Sequence, residues 1–128
     1  MNRKQQGDLG VAAAIWHYTK NDYVVSIPAT DNARYDLLVD KGGIYRVQCK
    51  TTGYKSPHGI YVVQLSTQGG NRTWNGTKKF ISAEECDLVY IYCLDGTTYE
   101  IPVERVSGKA ALNLGKLCDQ YKTTVVNP

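Results

Sequence analysis

Tyr35-Asp-Leu-Leu-Val-Asp-Lys-Gly-Gly-Ile-Tyr-Arg-Val-Gln-Cys-Lys50 reads as two alternating strands joined by a tight turn. Residues two apart in a strand share a face. Tyr35, Leu37 and Val39 therefore form one side of the first strand, with Asp36 on the other. On the second strand Tyr45, Val47 and Cys49 form the apolar side, opposite Arg46, Gln48 and Lys50. Both apolar faces meet the same core only if paired residue numbers sum to an even value. A three-residue loop from Lys41 to Gly43 meets that condition and supplies glycine for the left-handed position such loops require. Asp36 is then expected directly across from Gln48, with Cβ atoms roughly 4.5–5.5 Å apart.

The 128 residues suffice for one domain, expected to span 1–128, with a core that needs no staples. No apolar run reaches the ~20 residues of a membrane span, and Met-Asn-Arg-Lys-Gln-Gln-Gly-Asp lacks the apolar segment of a secretory signal. The four cysteines show no Cys-x-x-Cys spacing, and Cys49 and Cys93 fall inside apolar strand patterns, as core thiols do. A reducing, cytoplasmic location with access to DNA is the expectation. The net charge of +3 is unevenly spread: residues 41–83 hold Lys41, Arg46, Lys50, Lys55, Arg72, Lys78 and Lys79 and no acid. An acid-free stretch of that kind is an electrostatic footprint for a polyanion.

Along the chain, Asp8 to Lys20 reads as a helix with its cap at Gly7-Asp8, and Tyr23–Ile27 as a short strand closed by Pro28. After the hairpin, Ile60–Leu65 reads as a fourth strand, followed by the long polar stretch 66–79. Ser82–Glu85 suits a helical turn, and Leu88–Cys93 with Thr97–Ile101 reads as a hairpin around Asp95-Gly96. The tail, 103–121, is expected to be short helical or irregular pieces that bury Leu112, Leu114 and Leu117. The order implies an α+β fold, a mixed β-sheet with helical cover.

Asp36, Gln48 and Lys50 on one polar patch outline a metal-assisted phosphodiester site. Such hydrolysis holds a divalent cation against a phosphate oxygen and an attacking water. Mg²⁺ takes hard oxygen ligands and keeps several waters, so one or two carboxylates suffice. Asp36 is the expected anchoring ligand, Gln48 offers its amide oxygen, and Cys49 offers only its backbone carbonyl. Lys50 is placed to orient the water or offset charge growing in the transition state. The plainer reading is the wet face of an edge hairpin. His58, in a Ser-Pro-His-Gly turn, and His17, inside the helix, read as ordinary exposed or packed histidines, and no His/Asn or Cys/His cluster supports other nuclease chemistries.

Asp36, Gln48-x-Lys50 and their spacing resemble the PD-(D/E)XK nuclease superfamily, in a variant with Gln for the second acid. The order of Gly7-Asp-Leu-Gly10, Asp22-Tyr-Val-Val-Ser-Ile-Pro28, Asn32-Ala-Arg-Tyr-Asp-Leu37, Arg46-Val-Gln-Cys-Lys-Thr51, Asp87-Leu-Val-Tyr-Ile-Tyr-Cys93 and Tyr99-Glu-Ile-Pro-Val103 is similar to that of the small group I intron homing endonucleases of this class. The resemblance covers about residues 7 to 106. It implies a restriction-endonuclease-like sheet flanked by helices, Mg²⁺ or another hard divalent cation, double-stranded DNA as substrate, and a homodimer or homotetramer, since one site cuts one strand. Two departures stand out: Tyr35 replaces the proline before the metal-binding Asp, and Val11 stands where relatives carry a helix Glu. Asp8, one turn earlier, is the candidate replacement for that acid.

For DNA contacts, Arg72, Lys78 and Lys79 suit phosphates, and Gln68, Asn71 and Arg72 are types that read base edges. A two-stranded ribbon from Ile60 to Lys79 is expected to enter the groove, with Trp74 stacking or anchoring its loop and Arg34 and Lys55 flanking the active edge. Three functions follow: a sequence-specific endonuclease of the homing type, a structure-selective nuclease of the junction-resolvase kind, or a DNA-binding module whose cleavage is impaired through Val11.

Overall fold

Asn2 opens the chain's long helix. Its side-chain carbonyl accepts the Gln5 N–H at 2.9 Å, while the Gln5 side chain accepts the Asn2 N–H at 2.9 Å. This reciprocal cap starts α1 at Arg3 and the helix runs to Lys20. The expected start at Asp8 is therefore corrected: Asp8 lies mid-helix, and the signal missed was Asn2-x-x-Gln5. Asn21 and Asp22 end α1, Asp22 taking a left-handed φ of 66° while Asn21 hydrogen-bonds back to the His17 carbonyl at 2.7 Å. The computed structural model describes residues 1–68 and 78–123, and of residues 67, 68, 78 and 79 it describes only the backbone.

After α1 come β1 (Val24–Ser26), β2 (Leu37–Asp40), β3 (Ile44–Thr52), β4 (Val62–Gln64), β5 (Thr67–Gln68), β6 (Lys78–Lys79), β7 (Leu88–Cys93), β8 (Thr98–Pro102) and β9 (Ala111–Asn113), with short 3-10 helices at Val103–Arg105 and Lys116–Tyr121. Five of the strands form a mixed sheet in the order β1-β2-β3-β7-β8, with only β3 and β7 parallel. The β2–β3 hairpin has the parity its apolar faces demand: Leu37 pairs with Val47 and Asp40 with Ile44, around a Lys41–Gly43 loop in which Gly42 has φ 82°.

Alternation sorts each strand between two cores. Leu37, Val39, Val47 and Tyr90 face α1, where they bury Ala14 and Tyr18. Val89, Ile91 and Ile101 face the opposite side and pack with Val63, Leu65, Ile81 and Leu114. Tyr35 was expected beside Leu37 but joins this second core, because it precedes the start of β2 and is free of the strand's alternation. The sheet is thus buried on both faces, which is why its inner strand β7 is almost wholly apolar.

The tail and the ribbon depart from expectation. The Ile60–Leu65 strand shrinks to β4, which leaves the main sheet and pairs with β9 instead. The expected ribbon from Ile60 to Lys79 is therefore two separate pieces, β4–β9 and β5–β6, the latter pairing Gln68 with Lys78. Leu114 is buried, but Leu117 is 89% exposed, since the 3-10 helix that carries it turns Cys118 inward instead.

Gly10 fixes how closely α1 lies on β3. A Cβ there would meet Thr51 Oγ1 at 2.2 Å, and that hydroxyl is itself buried without a hydrogen-bond partner. In an exposed helix Gly→Ala would stabilise by about 1 kcal/mol. Here Gly10→Ala is expected to destabilise by about 1–3 kcal/mol through overpacking, and Thr51→Ala is expected to relieve most of that loss in the double variant. Urea titration of the two single variants and the pair measures the coupling directly.

Candidate active site

β2 stops at Leu37, whereas β3 continues to Thr52, so beyond Val47 one edge of β3 has no neighbouring strand. Asp36 sits at that step. Its backbone N–H still donates to the Val47 carbonyl at 2.8 Å, and its carboxylate Oδ2 accepts the Cys49 N–H at 2.7 Å. The side chain thus replaces the missing strand for one residue and is oriented by doing so. The β2–β3 register does not continue through Asp36: Leu37 already pairs with Val47, and the Asp36 N–H bonds the same Val47 carbonyl, so a bulge sets Asp36 one residue off the expected pairing with Gln48.

Asp36, Gln48 and Lys50 line one cleft of about 210 Å³ with Ala33, Arg34, Glu85 and the apolar Leu65, Phe80 and Ile81. Because Val47 and Cys49 pack toward α1, the alternating Gln48 and Lys50 project to the other face of the sheet. Asp36 Oδ1 and the Gln48 amide remain without partners among the described residues. The Cys49 carbonyl points to the same open edge as its N–H. Its thiol faces the α1 core, and burial raises its pKa strongly, so it stays protonated.

Half-burial sets the charge properties of the pair. Burial pushes the Asp36 carboxyl above its ordinary pKa, against the opposing pull of the Cys49 N–H and the Lys50 charge. Burial likewise lowers the Lys50 ammonium, with Asp36 working against it. The two groups are drawn toward each other in pKa, a pattern common where proton and charge transfer occur.

Other candidate residues fall in different places. Arg34 lines the cleft, but its guanidinium is engaged by the Glu85 carboxylate. Asp8 does not join the cleft: it is exposed on α1, pairs with Lys4 at 3.5 Å, and its helix packs on the opposite face of the sheet. Val11 packs half-buried against the Ala14–Tyr18 core. Lys55 lines neither the cleft nor its rim, and its ammonium lies 4.9 Å over the Tyr61 ring. Gln68, Lys78 and Lys79 lie on the β5–β6 ribbon, with only their backbone described, while Asn71, Arg72 and Trp74 lie outside the described residues.

Glu85 is the cleft residue that sequence reasoning missed. It sits on the turn after Ser82, where Glu85 N–H donates to the Ser82 carbonyl at 3.0 Å. Arg46 pins this turn, donating to the carbonyls of Ala83 (2.9 Å) and Glu84 (2.7 Å) while pairing with Asp87 at 3.1 Å. That pairing holds Asp87 below the usual carboxylate range. The only linear signal was an acidic cluster at Glu84, Glu85 and Asp87 directly after the acid-free segment.

A five-stranded mixed sheet with Asp, Gln and Lys gathered at a strand step defines a nuclease of the restriction-endonuclease-like type. The chain belongs to the PD-(D/E)XK endonuclease family, which it matches over residues 1–119. Its fold is similar to that of the bacterial homing endonuclease I-Ssp6803I, at 25% identity and a TM-score of 0.77, over 98% of this chain and 85% of that one. No curated protein matches it.

The raised Asp36 pKa carries a stability consequence. A carboxyl whose folded pKa is raised contributes full stability below its unfolded pKa and loses it as pH climbs through the folded value. Asp36→Asn keeps an oxygen for the Cys49 N–H and removes the buried charge. In EDTA its Tm is expected to exceed wild type at neutral pH, with the gain vanishing as pH falls below the ordinary carboxylate range. A neutral-pH Tm below wild type would contradict that charge balance.

Proposed function

We propose that the chain is a sequence-specific, Mg²⁺-dependent DNA endonuclease of the homing type. The observation that carries this reading is the cleft in which Asp36, held by the Cys49 N–H, meets Gln48 and Lys50. The donor set fits a hard cation: one carboxylate oxygen from Asp36 and neutral oxygens from Gln48 and the Cys49 backbone. Among the described residues no group of three His, Cys, Asp or Glu side chains gathers as a soft or all-acidic metal site. Bound there, Mg²⁺ supplies positive charge to a phosphate oxygen and lowers the pKa of an attacking water.

The protein's own groups do the rest. Asp36 and Gln48 would hold the cation at the strand step, and the scissile phosphate would be positioned through it. Lys50, whose lowered pKa favours the neutral amine, orients the water and accepts its proton as the new P–O bond forms, and the departing oxygen takes a proton from solvent as the old bond breaks. Leu65, Phe80 and Ile81 form an apolar wall that strengthens each of these electrostatic contacts. Arg34 exchanges the Glu85 carboxylate for a DNA phosphate, a contact of the same charge-assisted kind. The acid-free segment 41–83 brings the basic surface to the duplex, including Lys78 and Lys79 on the β5–β6 ribbon.

A double-strand break needs two such clefts, so the working form is a homodimer or a homotetramer. Val24 and Ile44 support this: 66% and 63% exposed, they flank Asp40 in one cross-strand row at the β1 edge of the sheet.

Incubation with Mg²⁺ on plasmid libraries and on four-way junctions tests the reading. Cuts at one sequence are expected, and Asp36→Asn is expected to reduce them by about 10²–10³-fold. Preference for junctions would make the chain a structure-selective nuclease, and binding without cutting would make it a DNA-binding module. Glu85→Gln frees Arg34 and is expected to tighten duplex binding severalfold at most, since a solvent-accessible ion pair is worth about 0.2–1 kcal/mol. For the assembly, Val24→Asp with Ile44→Asp is expected to lower the sedimenting mass to that of a monomer.

A further inference from the structure

A second and larger hollow, about 980 Å³, borders the cleft. Lys50 lines both. The groove follows the open edge of β3 past Lys50, between the first turns of α1 and the segment from Gly53 to Ser66. Its polar lining comes from Arg3 and Gln6 on α1, Tyr54 after β3, and Gln64 and Ser66 around β4. No acid lines it. The acids nearest in sequence turn away: Asp8 pairs with Lys4 on another face of α1.

We propose that this groove seats the scissile DNA strand immediately beside the bond being cut, with Arg3 on a phosphate and Tyr54 against a sugar or base. The inference rests on the endonuclease reading and adds contacts to it. Three observations support it together. The groove and the cleft share Lys50 in their linings, so a strand whose phosphate lies at Asp36 passes the groove at the same lysine. Arg3 is a cation with no ion pair among the described residues, facing a wall free of negative charge. Tyr54 is 65% exposed although its backbone is tied on both sides, its N–H to Thr52 Oγ1 at 3.2 Å and its carbonyl to the Val62 N–H at 2.9 Å. A large aromatic ring presented on a fixed backbone is a platform for nucleotides, and such contacts tolerate any base. Bare backbone at Gly7 lines the same groove with open space where a side chain would stand, whereas the space at Gly53 is filled by Leu94.

The test uses the full chain and a fluorescent duplex of mixed sequence, with Ca²⁺ to permit binding without turnover and Mg²⁺ to follow plasmid nicking. Arg3→Gln is expected to make the slope of log affinity against log salt shallower by about 0.9, the loss of one phosphate contact. Tyr54→Ala is expected to weaken binding by about tenfold, raising KM for nicking while kcat at saturation holds. Lys4→Gln, on the other face of the same helix, is the control and is expected to do neither. All three side chains are exposed, and unchanged thermal unfolding confirms that the variants are folded. If Arg3→Gln and Tyr54→Ala bind and nick as wild type does, the groove is not the strand's path, while loss of nicking in Lys50→Ala would still uphold the cleft. If wild type neither binds nor nicks the duplex, the endonuclease reading and this inference fall together.

Discussion

The hydrogen bond from the Cys49 N–H to the Asp36 carboxylate is the constraint around which this molecule is arranged. It exists because β2 is shorter than β3. Had β2 extended one residue further, a backbone carbonyl would have met the open edge, and Asp36 would have been an ordinary surface acid. By ending at Leu37 the strand leaves donor and acceptor groups of β3 unpaired, and a carboxylate captures the first of them. The same step that anchors Asp36 aims the Cys49 carbonyl beside it and leaves Gln48 and Lys50 standing on the sheet's other face. Strand length, rather than any special loop, makes the site.

That arrangement works against stability. Asp36 and Lys50 are half-buried, and each is pushed toward its neutral form by desolvation. Their mutual attraction offsets only part of this, which is the usual balance for charges withdrawn from water. The tolerance comes from elsewhere: a sheet buried on both faces, with α1 set tightly on β3 through Gly10 and an apolar layer beneath the cleft from Leu65 and Ile81. A second network, in which Tyr18 donates to Glu100 at 2.6 Å and Lys41 pairs with Glu100 at 3.1 Å, ties the hairpin turn to α1 and β8. It holds the far end of the same hairpin whose near end carries Asp36.

How much of this was legible in sequence depends on the range of the interaction. The hairpin register followed from parity alone, because a one-residue slip would have turned Leu37, Val39 and Val47 out of the core. Alternation along β3 put Gln48 and Lys50 on one face, where they share a cleft with Asp36, but the bulge that shifts Asp36 onto Val47 had no signal in the alternation. Misreadings arose where the deciding contact was distant or ambiguous. β4 pairs with β9 across nearly fifty residues, and no local pattern in Ala111–Asn113 announces a partner. Tyr35 and Leu117 have apolar character but lie outside regular strands, where alternation has no authority. Asp8 was read as a cap because Gly7-Asp8 looks like one, yet Asn2 and Gln5 form a better reciprocal pair and win the helix start. Glu85 reached the cleft through a turn pinned by Arg46, a tertiary contact without a linear signature.

Charge placement gives the site its direction. The acid-free segment ends at Ala83, and Glu84, Glu85 and Asp87 follow at once. Folding sets this boundary against the cleft. Asp87 is consumed by Arg46, an inward pairing that builds the turn, while Glu85 reaches back to Arg34 at the cleft itself. The two ion pairs look alike in sequence but differ in consequence. The Arg46 guanidinium is committed to four oxygens, two from the turn and two from Asp87, so a passing phosphate cannot displace it cheaply. Arg34 has one partner, held through a single nitrogen, and is 57% exposed, so a phosphate can take that place and engage the guanidinium fork with two oxygens. One arginine is architecture and the other is available, and the difference lies in how many acceptors the fold supplies to each.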